Sequence, residues 1–292
     1  MSPVPALDIV IVSYRCRDLL VTCLESLQTE AATVPLHVVV VDNASGDGTV
    51  ELVRERFPEV ELVESGGNVG FGRATNAGIR RGTAPYVLAL NPDTRVRPAG
   101  LAALLALMES NERIGIAGPR LVRHDGTLDH AARRSFPTPL GALSYFLGVT
   151  RIRRRGRLAQ YLAPDIERGP VDAVNGAFML MRRSALVEVG LFDEGYWMYM
   201  EDLDLGYRMA QAGWVTWYEP DVTVEHVKHG SSGDWRAPKL NYAFHYGMFR
   251  FYRKHYAGSR NPLLNVAVYG GIAVKLAFSL AKTGIRRRVR PA

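Results

Sequence analysis

Short apolar runs and helically spaced apolar positions alternate along residues 7–117. Residues 7–13, 36–41, 60–63, 86–90 and 114–117 are near-continuous apolar runs of strand length, the pattern of strands buried on both faces of a parallel sheet. Between the first two, Leu19, Leu20, Cys23, Leu24 and Leu27 recur at helical spacing. A second helix is expected to end at Phe57 with Ser45 or Asp47 as its cap, a third to close at Gly82 and a fourth to open at Pro98. This alternation predicts an α/β fold with a doubly wound, mostly parallel sheet.

Residues 123–170 break the rhythm and carry Arg133, Arg134 and a run at 151–157 with five arginines in seven positions. Such a run is either a solvated loop or a contact for phosphate groups on a membrane or an acceptor. Order returns as one expected strand over 171–181, where Gly176 suggests close backbone approach. A helix is expected over 201–212, closed by Gly213, then strands at 214–218 and 222–225. Residues 241–256 are aromatic and basic, and 262–281 are nearly all apolar, interrupted by Asn265 and Lys275 and followed by Lys282, Arg286, Arg287, Arg288 and Arg290. That last segment can be read as a spanning helix, a helix lying at the interface, or a core helix. Lys275 inside it favours the interfacial reading. The expected division is a catalytic domain over 1–238, in halves 1–122 and 123–238, with a helical extension over 239–292.

The formal charge of +7 and pI near 9.5 call for an anionic partner. The arginine excess flanks an apolar segment, which favours an anionic membrane surface over nucleic acid. Cys16 and Cys23 lack clustered His or Cys neighbours and read as reduced thiols. Asp8 interrupts any signal-like apolar start, so the catalytic part is expected in the cytoplasm.

In open α/β sheets, ligands bind at the carboxyl ends of the strands. Four such edges offer Ser13 and Tyr14, Asp42 and Asn43, a glycine-rich turn with Asn68, Gly70, Phe71, Arg73 and Asn76, and finally Asn91 and Asp93. Two acids among hydroxyl and amide groups suit a nucleotide: Asp42 can accept from a base N–H, and Asp93 can hold Mg2+ or Mn2+ on a diphosphate. The glycine turn has neither the spacing of a dinucleotide fingerprint nor the lysine of a P-loop. A nucleotidyltransferase would need a basic glycine-rich loop after the first strand, where Ser13-Tyr14-Arg15-Cys16 stands instead. Glu201, Asp202 and Asp204 put three acids in four positions, more than helix capping requires.

Taken in order, Ile9–Tyr14, Val40–Ser45, Gly67–Gly78, Leu90–Thr94, Asn175–Phe178 and Met200–Asp204 resemble the motif series of glycosyltransferase family 2, GT-A fold, and within it a bacterial rhamnosyltransferase-like branch. The resemblance covers residues 7–256, and the basic apolar tail is similar to that branch as well, which implies a peripheral place at the inner face of the cell membrane. It implies an inverting transfer of L-rhamnose from dTDP-rhamnose, a nucleotide-diphosphate sugar, to a lipid-linked or glycan acceptor in cell-wall or surface polysaccharide synthesis. A UDP-hexose donor or a polyprenyl-phosphate acceptor is the alternative. By the same resemblance Asp202 is the catalytic base with Glu201 orienting it or the acceptor, and Asp93 is the last acid of a D-x-D metal motif whose first position is Asn91 here. His226 would complete the metal shell, while Ser13, Asp42, Asn175 and Gly176 would line the nucleotide-sugar site.

Overall fold

Apolar runs satisfy their backbone groups most completely in the middle of a ladder, and the runs of this chain meet in one sheet. The protein is described here by a computed structural model covering residues 4–137, 167–227 and 238–289. The arginine run at 151–157 lies outside the described residues. The first half forms β1 (Leu7–Ser13), α1 (Arg17–Glu30), β2 (Leu36–Asp42), α2 (Thr49–Arg56), β3 (Glu61–Glu64), α3 (Phe71–Ile79), β4 (Tyr86–Leu90), β5 (Thr94–Val96), α4 (Gly100–Ser110) and β6 (Ile114–Val122). After it come β7 (Arg133–Arg134), β8 (Gly169–Val171), β9 (Ala173–Val174), β10 (Phe178–Arg182), α5 (Arg183–Val189), α6 (Glu201–Gln211), β11 (Val215–His226), α7 (Pro238–His255) and α8 (Pro262–Val289).

The main sheet runs β3-β2-β1-β4-β10-β6-β11-β5, with β8 also on β11, while β7 and β9 pair apart from it. The first four strands are mutually parallel, and β10 is antiparallel to both β4 and β6. Strand β11 runs parallel to β6 and antiparallel to β5. These directions have one consequence for the site. The carboxyl ends of β2, β1, β4 and β11, and the amino end of β10, all reach the same sheet edge.

Alternate side chains bury on opposite faces. Ile9, Ile11, Leu88 and Leu90 pack with Leu20, Leu24 and Leu104 beneath α1 and α4. Val10, Val12, Val87 and Ala89 pack with Ile79, Leu186, Leu205 and Met209 on the other face. Both faces are covered, which is why these strands read as continuous apolar runs rather than alternating ones.

The expected boundaries shift where tertiary contacts intervene. Helix α3 ends at Ile79, and Gly82 serves a different need: a Cβ there would stand 2.2 Å from the Asp8 carboxylate. Asp47 rather than Ser45 meets the start of α2, accepting from the Thr49 amide at 3.2 Å, while Ser45 Oγ accepts from Arg15 N. Helix α4 starts two residues beyond Pro98, after Ala99 at φ 63°. The expected strand over 171–181 is broken at Asn175–Ala177 into short pieces and β10. The two strands expected after α6 are one, β11, with a register shift between Glu219 and Thr223. Helix α7 docks through Phe251 onto Tyr196, Met200 and Leu203, and α8 lies on α7 through Val268 and Ile272 against Tyr252.

Candidate active site

Parallel register puts Ser13 opposite Asp42 at the common edge, and Asp42 opposite Glu64. Asp42 is 4% exposed; its Oδ2 accepts from Ser45 N at 3.1 Å, and its buried Oδ1 has no hydrogen-bond partner. A buried acceptor without a donor is costly unless a ligand supplies one. Asn43 knits the next loop to this point, its Oδ1 accepting from Val69 N at 3.0 Å and its Nδ2 donating to Asn68 Oδ1 and Gly70 O. Tyr14 is half-buried beside them, with the Arg15 guanidinium 5.3 Å from its ring centre.

The glycine-rich turn turns out to face protein as much as solvent. Gly70, at φ +90°, lies so close to Trp197 that a Cβ would stand 2.3 Å from its carbonyl oxygen. Phe71 N donates to that same oxygen at 2.9 Å, and Trp197 Nε1 donates to Asn68 O at 3.3 Å. Phe71 places its ring edge-on to Phe192. Asn76 exchanges hydrogen bonds with the backbone of Phe192, and Arg73 pairs with Glu194 at 2.9 Å. Thus Arg73 and Asn76 secure the 192–197 segment, and that segment walls the site.

Asp93 and His226 are brought together by β5, whose first residue Thr94 pairs with His226. Val227 N also donates to Asp93 O at 2.8 Å. His226 Nε2 stands 3.4 Å from Asp93 Oδ1 without closing a hydrogen bond, and its Nδ1 lies 3.4 Å from Asp129 Oδ2. Burial alone would lower the His226 pKa; Asp129 and Asp93 outweigh it and push it up to about 9. Among the described residues no three His, Cys, Asp or Glu side chains form a ready cage for a metal ion. The orphaned carboxylate oxygen of Asp93 beside one imidazole nitrogen nevertheless fits Mg2+ or Mn2+, which take few protein ligands and fill the remainder with substrate oxygens and water.

The third group reaches the edge from α6. Antiparallel β10 places Phe178 opposite Leu90, so the Asn175–Ala177 turn lies beside Asn91, whose N–H donates to Ala177 O at 2.9 Å. Asn175 Oδ1 pins the turn by accepting from Ala177 N. Gly176 N donates to Asp202 Oδ2 at 3.0 Å, and a Cβ on Gly176 would stand 3.2 Å from that oxygen. Arg134 pairs with the same oxygen and also donates to Val174 O. Tyr199 and Met200, at φ 69° and 74°, turn the chain through a left-handed step just before Glu201 and Asp202, a costly conformation that clusters at functional sites. Glu201 is 6% exposed, with Oε2 unpartnered. Burial, then the Asp202 charge, pushes its pKa up to about 8.

Asp204, the third acid of the cluster, belongs to the framework. It is fully buried and accepts from Lys254, His255 and Arg208, tying α6 to α7. Sequence reading missed Asp129 as a partner of His226 and Arg134 as a partner of Asp202. The separations of 97 and 68 residues leave no local trace of either pair. The paired arginines at 133–134, just where the strand–helix rhythm stops, are the one available signal.

Asp42, Asp93 and Asp202 therefore stand at one sheet edge, joined through Ser13, Asn91 and the Asn175–Ala177 turn. Residues 5–241 match the model of the family described as "Glycosyltransferase like family 2". An N-acetylglucosaminyl-diphospho-decaprenol L-rhamnosyltransferase of Mycobacterium tuberculosis is 34% identical over 91% of this chain and 89% of its own length. Rhamnosyltransferase WbbL of Escherichia coli K12 is 28% identical over 76% of this chain and 83% of its own length. Among solved structures, the mannosyltransferase PcManGT of Pyrobaculum calidifontis, in complex with GDP-Man and Mn2+, superposes with a TM-score of 0.59 at 17% identity, covering 99% of this chain and 82% of that one. The match at 17% identity carries the fold, a GT-A-like mixed sheet with flanking helices, and the sequence matches carry the family. On these grounds the chain belongs to glycosyltransferase-like family 2 and is rhamnosyltransferase-like in sequence.

Proposed function

We propose that this nucleotide-sugar glycosyltransferase moves L-rhamnose from dTDP-rhamnose, with inversion, to a hydroxyl of a lipid-linked or polysaccharide acceptor at the cytoplasmic face of the cell membrane. The names of the relatives support the sugar and the lipid-linked acceptor. The observation that carries the reading is the gathering of Asp42, Asp93 and Asp202 at one sheet edge.

In this reading Asp42, with its unpartnered Oδ1, receives a base N–H of the nucleotide, and Ser13, Tyr14 and Asn43 frame it. Asn68, Gly70 and Phe71 shape the loop that faces the diphosphate sugar, while Arg73 and Asn76 act through the 192–197 wall. Asn91, Asn175 and Gly176 line the sugar pocket between the two acids. Asp93 and His226 would hold Mg2+ or Mn2+, which when bound neutralises charge on the departing diphosphate. Holding the cation requires His226 to release the proton that Asp93 and Asp129 favour.

Asp202 takes the proton of the acceptor hydroxyl as its oxygen bonds to C1 and the C1–phosphate oxygen bond breaks. Arg134 and Gly176 N–H fix the carboxylate for this step. Glu201 holds its proton at neutral pH, so the adjacent pair carries one negative charge rather than two.

Asp202→Asn should lower transfer by roughly 10²–10⁴-fold. Stabilisation of the fold by dTDP-rhamnose with Mn2+ should remain, because that acid does not hold the donor. Retained transfer, or loss of donor stabilisation together with transfer, overturns the assignment of Asp202. Stabilisation by a UDP-hexose in place of dTDP-rhamnose would replace the sugar and leave the mechanism.

A further inference from the structure

Helix α8 is apolar on the side it shows to solvent. Leu263, Val266, Gly270, Val274, Phe278 and Ala281 recur at three- and four-residue spacing along its exposed face, with alanines between them and no charged residue before Lys282. Leu263, Val274 and Phe278 are 79%, 72% and 73% exposed. The polar residues sit on the opposite side. Asn265 Oδ1 accepts from Tyr252 OH at 2.7 Å, Ser279 Oγ donates to Asn241 Oδ1 at 3.0 Å, and half-buried Lys275 shares the stripe of Ile272 and Ser279. A helix in water has the reverse arrangement. The lysine that weighs against a spanning helix in the sequence lies on the protein-facing stripe.

Charge names the occupant. Residues 238–292 hold eleven Lys and Arg and no Asp or Glu, so the remainder of the chain is net acidic by four; Arg250 and Lys254 pair with Asp193 and Asp204 of the body, and the segment stays cationic without them. A cationic segment with an uncharged apolar face, beside the exposed aromatics Tyr242 and Tyr246, complements an anionic lipid surface. Geometry sets the orientation. Helix α7 covers the inner side of α8 from Asn265 at one end to Ser279 at the other, and α7 is itself fixed to the body by Lys254 on Asp204 and Arg250 on Asp193. Crossing a bilayer would strip α8 from these polar partners or drag α7 into lipid, although residues Pro262–Lys282 are long and apolar enough to cross.

We propose that the outer face of α8 is a docking surface lying in the plane of an anionic bilayer, its apolar stripe at the hydrocarbon boundary and Lys282 at the lipid phosphates. A membrane-held acceptor, as proposed above, gives this docking its use, and so deepens that reading. Binding is measured without the acceptor, so the two can fail separately.

The test is flotation of the full chain with phosphatidylcholine vesicles, with and without phosphatidylglycerol. The wild type should float with the anionic vesicles and be released by salt. The double variant Val274→Glu/Phe278→Glu should lose at least about tenfold in partitioning. Val187→Glu, a charge at an exposed valine on α5, should change nothing, and both variants should keep the wild-type Tm. Tryptophans placed singly at Val266, Val274 and Ala281 should be quenched by brominated lipid at one shallow depth. Three results would overturn the proposal: a wild type that ignores anionic vesicles, graded depths across the helix, or a vesicle-independent dimer that the double variant dissolves. Transfer to a short-chain, water-soluble acceptor runs alongside. Its absence in the wild type would strike the catalytic reading and leave the docking result standing.

Discussion

Asp204→Ala probes how the helix that presents Glu201 and Asp202 is held. The carboxylate is 0% exposed; its Oδ1 accepts from Lys254 and His255 at 2.8 Å each and from Tyr196 OH at 3.3 Å, and its Oδ2 accepts from Arg208 at 2.8 Å. Removing one partner of a buried ion pair costs about 3–5 kcal/mol, because the other charges stay buried. Lys254 keeps Asp193 at 2.7 Å and Arg208 keeps three backbone carbonyls, which places the loss at the lower end, about 3 kcal/mol. For a domain of this size that is roughly 6–12 °C in Tm. Burial alone would raise the Asp204 pKa; His255, Lys254 and Arg208 reverse this and hold it well below the usual carboxylate range. Its contribution is therefore complete above the unfolded value near ~4 and is lost as pH falls below it. Thermal and urea melts of wild type and variant at neutral pH and near ~pH 3 should show a gap that narrows on acidification. Equal Tm values at neutral pH, or a gap indifferent to pH, would refute the framework role of Asp204.

Gly70→Ala should destabilise by at least about 3 kcal/mol, since left-handed strain adds to overlap with the Trp197 carbonyl; Gly66→Ala, at φ +72° with nothing within 4 Å, should cost about 1 kcal/mol. Urea midpoints of the two variants compare them directly. Glu201→Gln should be more stable than wild type at pH 8. The folded chain holds the Glu201 proton up to about 8 while the unfolded chain releases it near ~4, so wild-type stability falls across that window and the difference should close below about pH 5. Arg134→Ala should lower kcat by roughly 10–100-fold with little change in donor stabilisation, and should lower Tm as well, because buried Asp202 loses its ion-pair partner and keeps only the Gly176 and Leu203 N–H groups. Arg134→Lys should recover part of that loss, and a KM effect in place of a kcat effect would place Arg134 on the acceptor.

Much of the first half was legible because the physics there is local. Ile9, Val10, Val39 and Leu88 lie in runs that only a doubly covered strand can bury, and β1, β2 and β4 form within a residue of their expected bounds. The short β5 escaped because three residues, Thr94–Val96, carry no period; they become a strand only because β11 arrives beside them. The run over 171–181 looked like one strand because periodicity does not register the turn at Asn175–Ala177, whose backbone bonds go to Asn91 and Asp202. Arg73 and Asn76, on α3 just after the glycine-rich turn, have the composition of ligand contacts, yet Glu194 and Phe192 use them.

By itself the sequence determined which segments must be strands and that acids fall at their carboxyl ends, since burial pattern and chain order are properties of neighbouring residues. Tertiary structure alone decided which acids meet. It paired Asp202 with Arg134 and His226 with Asp93 and Asp129, gave Asp204 to the framework, and turned the apolar side of α8 outward. Ion pairing and desolvation depend on separation in space rather than along the chain, and that separation exists only once the sheet has set its register.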